Sequence, residues 1–248
     1  MSKSGKSGEK RCGRNKGAVQ LTSLFARDAN KGNIQCADYE AAGERGGCGM
    51  EGAKMAAWGA LCTLATLSGG CRCEGEAVTG IVYSPAYLKH DAGVGHPERP
   101  ERLEAIMRGL EAAGYAEKLA RIEPFPAPLE WLETVHAREY IKEVERACIE
   151  GVKWLHTPDV GISAASYDAA RLAAGGALAA VDAVMAGRVR NAFCAVRPPG
   201  HHALRNRAMG FCLFNNAAIA ARYAQKKHGA AKVLIVDWDV HHLSLIHI

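Results

Sequence analysis

Two short apolar runs, each leading straight into a cluster of histidines and acids, constrain this 248-residue chain more than any other feature. Asn191–Val196 (NAFCAV) leads to Arg197, Pro198, Pro199, Gly200, His201 and His202, and Lys232–Trp238 (KVLIVDW) leads to Asp239, Val240, His241 and His242. Between them, residues 215–228 begin with an asparagine and are followed by Gly229, the residues that cap the two ends of a helix. Strand, helix and strand in this order form a βαβ unit, whose strands run parallel and are expected to be neighbours. The second run is apolar throughout and reads as a strand buried on both faces. Ligands in an open parallel sheet bind beyond the carboxyl ends of the strands. Both polar clusters are therefore expected at one edge, aimed at one place.

The second cluster has the spacing of a metal site. Along an extended chain alternate residues point the same way, so Asp237, Asp239 and His241 share one face and Trp238 and Val240 the other. A carboxylate and an imidazole two residues apart can reach the same divalent ion. The bland alternative is a row of surface acids at a strand end. Acids crowded at the mouth of an apolar strand want a positive charge, which favours the metal. The first cluster is weaker evidence taken alone, since a histidine pair in a loop is commonly only polar surface. Beside an Asp-x-His face, His201 and His202 could supply a general base and its electrostatic partner.

Upstream, Thr79–Tyr83 reads as a strand, followed by a loop that Pro97 and Pro100 keep from becoming helical. Leu103, Ile106, Met107 and Leu110 recur at helical spacing up to Gly114, and further helices are expected over 138–149 and 163–185. The last of these contains Gly175-Gly176, which cost helix stability and so imply close packing against a neighbour. Before residue 78 no period is visible. Lys3, Lys6, Lys10, Arg11, Arg14 and Lys16 against the single acid Glu9 read as a solvated tail, and no aromatic residues interleave with them to stack on nucleic acid. No nucleic-acid partner is expected. Of the nine cysteines none forms a CxxC pair, and Cys148, Cys194 and Cys212 read as small buried hydrophobes. The apolar stretch from Met55 to Leu67 is too short to span a bilayer. It would suit a secretory signal only if translation began at Met50 or Met55; otherwise a cytoplasmic location is expected.

The blocks RPPGHHA (197–203), MGFCLFNNAAIAA (209–221) and VDWDVHH (236–242) resemble the signature motifs of the histone deacetylase family. HPERPERL (96–103), VHAREYI (135–141) and SYDAARLAAGG (166–176) match in order and spacing. The RPPGHHA form is closer to the class II, acetylpolyamine amidohydrolase and acetoin-utilisation branch than to class I enzymes. The resemblance covers residues 79–242 and implies the N-terminal part of an α/β, three-layer arginase/deacetylase-type fold with a parallel sheet. Residues 1–78 are then a poorly ordered extension.

By the same resemblance, Asp239 and His241 match two of three zinc ligands. Asp237 matches the acid that pairs with a catalytic histidine and helps hold a structural potassium ion. His201 matches that histidine. His202 matches the general base that activates water and then protonates the leaving amine. Gly210 and Phe211 match the wall of an acyl-lysine tunnel, and Asp159 matches more loosely a rim acid that holds substrate backbone. The implied reaction is zinc-dependent hydrolysis of an N-acetyl amide on lysine or a polyamine.

The family's third ligand, an aspartate, and its oxyanion-stabilising tyrosine have no counterpart in this sequence. Residues 243–248 (LSLIHI) depart from the family's glycine-rich turn and read as a non-native tail, so His247 is not counted as a ligand. With two ligands the chain is expected to be inactive by itself. Two alternatives stay open. One is an arginase-like binuclear hydrolase, against which Leu243 stands where a second aspartate belongs; the other is a non-catalytic acyl-lysine-binding protein.

Overall fold

The apolar periodicities turn into helices and strands over residues 79–237. The computed structural model describes residues 78–241 throughout, together with two strands nearer the start, β1 (Ala18–Ser23) and β2 (Ala65–Leu67). The expected tail at 243–248 and the rest of the extension before residue 78 lie outside the described residues. So does the apolar stretch from Met55, except for the part that forms β2. Among the described residues no helix is long and apolar enough to cross a membrane.

Three strands form a wholly parallel sheet in the order β4–β3–β5, with β3 at Thr79–Val82, β4 at Ala120–Ile122 and β5 at Asn191–Cys194. Five α-helices are described: α1 (Glu101–Ala112), α2 (Leu129–Leu132), α3 (Arg138–Ile149), α4 (Ser166–Met185) and α5 (Asn216–His228). In α3 the buried residues are Tyr140, Ile141, Val144, Ala147 and Cys148, one stripe of a helix whose other faces are charged. The long helix α4 is buried nearly all round and packs on β3, β4, β5 and α5. Its small residues permit that approach. A Cβ at Gly175 would lie 1.6 Å from the carbonyl oxygen of Phe125, and one at Gly176 would lie 2.8 Å from Val82 Cγ1. This is the close packing that the glycine pair implied. Because backbone opposes Gly175, Gly175→Ala is expected to cost about 3 kcal/mol, the upper part of the usual overpacking range. An unchanged urea midpoint would count against it.

Helix α5 has the expected ends. The Asn215 side chain accepts a hydrogen bond from the Ala218 N–H at 3.0 Å, and Gly229 closes the helix at φ 70°. Cys148 and Cys212 are buried in the core, as expected of small hydrophobes, and Cys194 is half-buried.

One expectation fails. The second strand of the βαβ unit, β6 (Val233–Asp237), does not pair with β5. It belongs to a separate sheet of order β2–β1–β6, where β1 runs parallel to it from Val19↔Val233 to Ser23↔Asp237. Nor is β6 buried on both faces. Val233 and Ile235 pack on the main core, whereas Leu234 is 58% exposed, and beyond the strand Trp238 and Val240 are 64% and 74% exposed. An apolar run records that a strand is apolar, not which strand lies beside it. The long loop from β5 to α5 leaves that choice to tertiary packing.

Candidate functional site

The β5–α5 loop reaches the end of β6 although the strands are not neighbours. His201 Nδ1 donates to Asp237 Oδ2 at 2.8 Å, and both side chains are almost completely buried. The ring of His202 lies 4.0 Å from that of His201, centroid to centroid. His202 is half-buried. Burial first, and then the neighbouring His201, hold its pKa below the usual histidine value. The shift favours the neutral ring, the form that can accept a proton.

Asp239 and His241 lie beyond β6. The Asp237 carboxylate is used twice, since its Oδ1 accepts the Asp239 N–H at 3.1 Å. Asp239 Oδ1 in turn accepts the His241 N–H at 2.8 Å and lies 3.0 Å from His241 Nδ1. The expected alternation holds for the acids, whose side chains turn inward while Trp238 and Val240 face out. His241 is different: its side chain is 70% exposed against 8% for Asp239. Burial works to raise the Asp239 pKa, but the hydrogen bonds from His241 outweigh it and leave the carboxyl below its usual range. An oxygen and a nitrogen 3.0 Å apart suit two ligands that each stand about 2 Å from one ion. The fit is partial. Among the described residues no three His, Cys, Asp or Glu side chains gather as a metal-binding group.

The other side of the site is the loop 204–215. Gly210 and Phe211 both have positive φ, 53° and 67°. The Phe211 ring meets His96 edge-on at 4.6 Å, and Asp159 Oδ2 accepts the Gly210 N–H at 3.1 Å. Asp159 therefore braces the loop, and its backbone oxygen lies 3.1 Å from His96 Nε2. A Cβ at Gly210 would fall 2.3 Å from His202 Cδ2, so only glycine leaves room for that ring. Gly210→Ala is expected to swing His202 away from His201 and destabilise by about 1–3 kcal/mol. The check is the nuclear Overhauser contact between the two rings, and its survival would contradict the packing.

Residues that local pattern did not single out hold this arrangement. His136 Nδ1 donates to the Leu204 carbonyl at 2.8 Å, and its Nε2 accepts the Asn215 N–H at 2.9 Å, so one buried ring pins both ends of the loop. Tyr140 adds a bond from its hydroxyl to the Leu213 carbonyl at 2.6 Å. Burial drives the His136 pKa down to about 4, which keeps the ring neutral and able to accept. Arg197 forks onto both oxygens of Glu98, at 2.8 and 2.7 Å. Burial pushes Glu98 up, yet the bonds from His90 and Arg197 bring its pKa to about 2. The partners that His136, Tyr140 and the Arg197–Glu98 fork bring together are 68 to 99 residues apart in the chain, a separation at which spacing carries no signal.

Residues 96–243 match the profile of the histone deacetylase domain. Polyamine deacetylase HDAC10 of Rattus norvegicus is 47% identical over 150 residues, covering 58% of this chain and 26% of that protein. A protein named probable deacetylase from Archaeoglobus fulgidus is 42% identical over 167 residues, covering 66% of this chain and 46% of that one. The crystal structure of the HDA15 HD domain superposes with a TM-score of 0.64 at 42% identity, over 67% of this chain and 48% of that one. The chain spans a quarter to about half of the length of these proteins.

Proposed function

This chain belongs to the histone deacetylase family, and we propose that its site serves the hydrolysis of an N-acetyl amide. The observation that carries the reading is the meeting of His201 with Asp237 at 2.8 Å, with the His202 ring tilted against that of His201 at 4.0 Å and Asp239 and His241 at the same strand end. In this reading His202, whose burial favours the neutral ring, takes a proton from water and later returns it to the departing amine. His201 stays fixed on Asp237 and shapes the field around His202. Asp239 and His241 would hold a zinc ion, which when bound supplies Lewis acidity toward the amide carbonyl and makes water easier to deprotonate. Gly210 and Phe211 wall the entry and Asp159 braces them. The substrate class is an acetylated amine, on lysine or on a polyamine. The polyamine option draws support from the name of the rat relative.

A matching exchange tests this. The 167 matched residues would replace their counterpart in the Archaeoglobus fulgidus protein, and the chimera would be assayed with acetyl-lysine peptide and acetylspermidine. Turnover is expected, with His202→Gln lowering it about 10²- to 10⁴-fold. A folded, zinc-loaded chimera that released no acetate would sink the reading.

One observation favours a second reading for these 248 residues alone. Among the described residues no three His, Cys, Asp or Glu side chains come together, where catalytic zinc takes three protein ligands, which suits binding without turnover. We expect the purified polypeptide with added zinc to give no acetate release above background. An arginase-like binuclear site, which needs more ligands still, draws no support from the described residues.

A further inference from the structure

A fully buried polar cluster lies among residues that the proposed reaction does not use. Ser166 Oγ stands 2.7 Å from His90 Nδ1, and His90 Nε2 stands 3.3 Å from Glu98 Oε2. Serine, histidine and carboxylate in series have the parts of a nucleophilic triad, but this one cannot react with anything. Ser166 is 0% exposed and already engaged by the Ser163 N–H at 2.8 Å, and the Glu98 charge is taken by Arg197. A buried, closed ion pair of this kind is weak evidence for stability, since apolar residues of similar volume can do as well. What a bidentate fork does supply is fixed geometry.

Arg197 is where that geometry is applied. Besides gripping Glu98, its Nη1 donates to the carbonyls of Tyr87 at 3.0 Å and His90 at 2.7 Å. Four bonds from one guanidinium tie the third residue beyond β5 to the 87–98 segment. Pro198 and Pro199 follow, and their rings leave the backbone little freedom. Gly200 then packs against α5, where a Cβ would be 2.5 Å from the Asn216 N atom, and Asn216 Nδ2 donates to the Pro198 carbonyl at 3.3 Å. His201 is the next residue. A displacement of Arg197 therefore has no slack in which to die out before the His201 ring.

We propose that Glu98 and Arg197 are positioning residues for His201: their buried fork sets the turn so that the imidazole meets Asp237. This rests on reading the His201–Asp237 pair as part of the reaction centre, but it concerns a ring proton and not turnover, so either can fail while the other stands.

The test uses the full chain labelled with ¹⁵N-histidine. The His201 Nδ1–H should appear as a slowly exchanging downfield imidazole signal, assigned by its loss in His201→Gln. Two variants probe it. Arg197→Lys keeps the charge and loses the fork, and Glu98→Leu with Arg197→Met removes both charges so that none is buried alone. In each the His201 signal should vanish or exchange at least about tenfold faster, while the His136 ring signal and the helical circular dichroism persist. Asp182→Asn, which disturbs a separate clasp of Asp182 with Tyr223, Lys227 and His228 between α4 and α5, should leave the His201 signal unchanged. A folded Arg197 or Glu98 variant with the His201 signal intact overturns the proposal. So does failure of both variants to fold, because the pair would then be a requirement of the fold and not a positioning device.

Discussion

Glu98→Ala should destabilise the domain by about 3–5 kcal/mol, the cost of removing one partner from a buried ion pair. It strands the Arg197 guanidinium among atoms that exclude water, and that group cannot shed its proton to escape. The converse variant, Arg197→Ala, leaves a carboxylate, which can take up a proton and become neutral, so its electrostatic penalty is smaller. It loses instead the volume of the largest fully buried side chain among the described residues and the donors to the Tyr87 and His90 carbonyls. Thermal unfolding is the simplest measurement. For a domain of this size the loss corresponds to roughly 10 °C in Tm. A fall of only a degree or two for Glu98→Ala would mean that water reaches the pair and that its burial is not as described.

Acid should weaken the fold in two separable steps. His136 has a pKa near 4 in the folded chain against 6.5 as its ordinary value. Between those values the unfolded chain binds a proton that the folded chain refuses, so stability is full above about pH 6.5 and falls progressively toward pH 4. The shift amounts to about 3 kcal/mol. Glu98 acts lower down. Its folded pKa of about 2 lies below the ordinary 4.5, so its contribution is present above pH 4.5 and is lost as pH drops toward 2. Urea midpoints from pH 8 to 3 would resolve the upper step, and His136→Gln should flatten it while leaving the lower one. A wild-type curve level from pH 6.5 to 4 would show that the ring is not held neutral.

Much of the site was legible in the chain because its parts are local. The period-2 spacing of Asp237 and Asp239 set both side chains inward against Trp238 and Val240, and neighbouring residues alone are enough for that. The caps of α5 were legible for the same reason, since Asn215 and Gly229 act on atoms within a turn. His241 shows the limit of the pattern. The strand ends at Asp237, and the turn that follows leaves the ring mostly exposed while still bonded to Asp239. Gly210 was singled out by family likeness as a tunnel wall; its contact with His202 depends on a loop folding back eight residues later.

The chain by itself determined helices α1, α3, α4 and α5, strands β3, β5 and β6, the glycines that allow α4 to be buried, and which polar residues stand at strand ends. Each of these depends on backbone preference, capping or periodicity, whose range is a few residues. Tertiary structure alone decided that β5 pairs with β3 and not β6, and that His201 nonetheless reaches Asp237. It alone decided that Arg197 finds Glu98 and that His136 holds both ends of the 204–215 loop. Those choices turn on which buried polar groups must satisfy one another once water is gone. That requirement acts across the core between residues far apart in the chain, where no local pattern can record it.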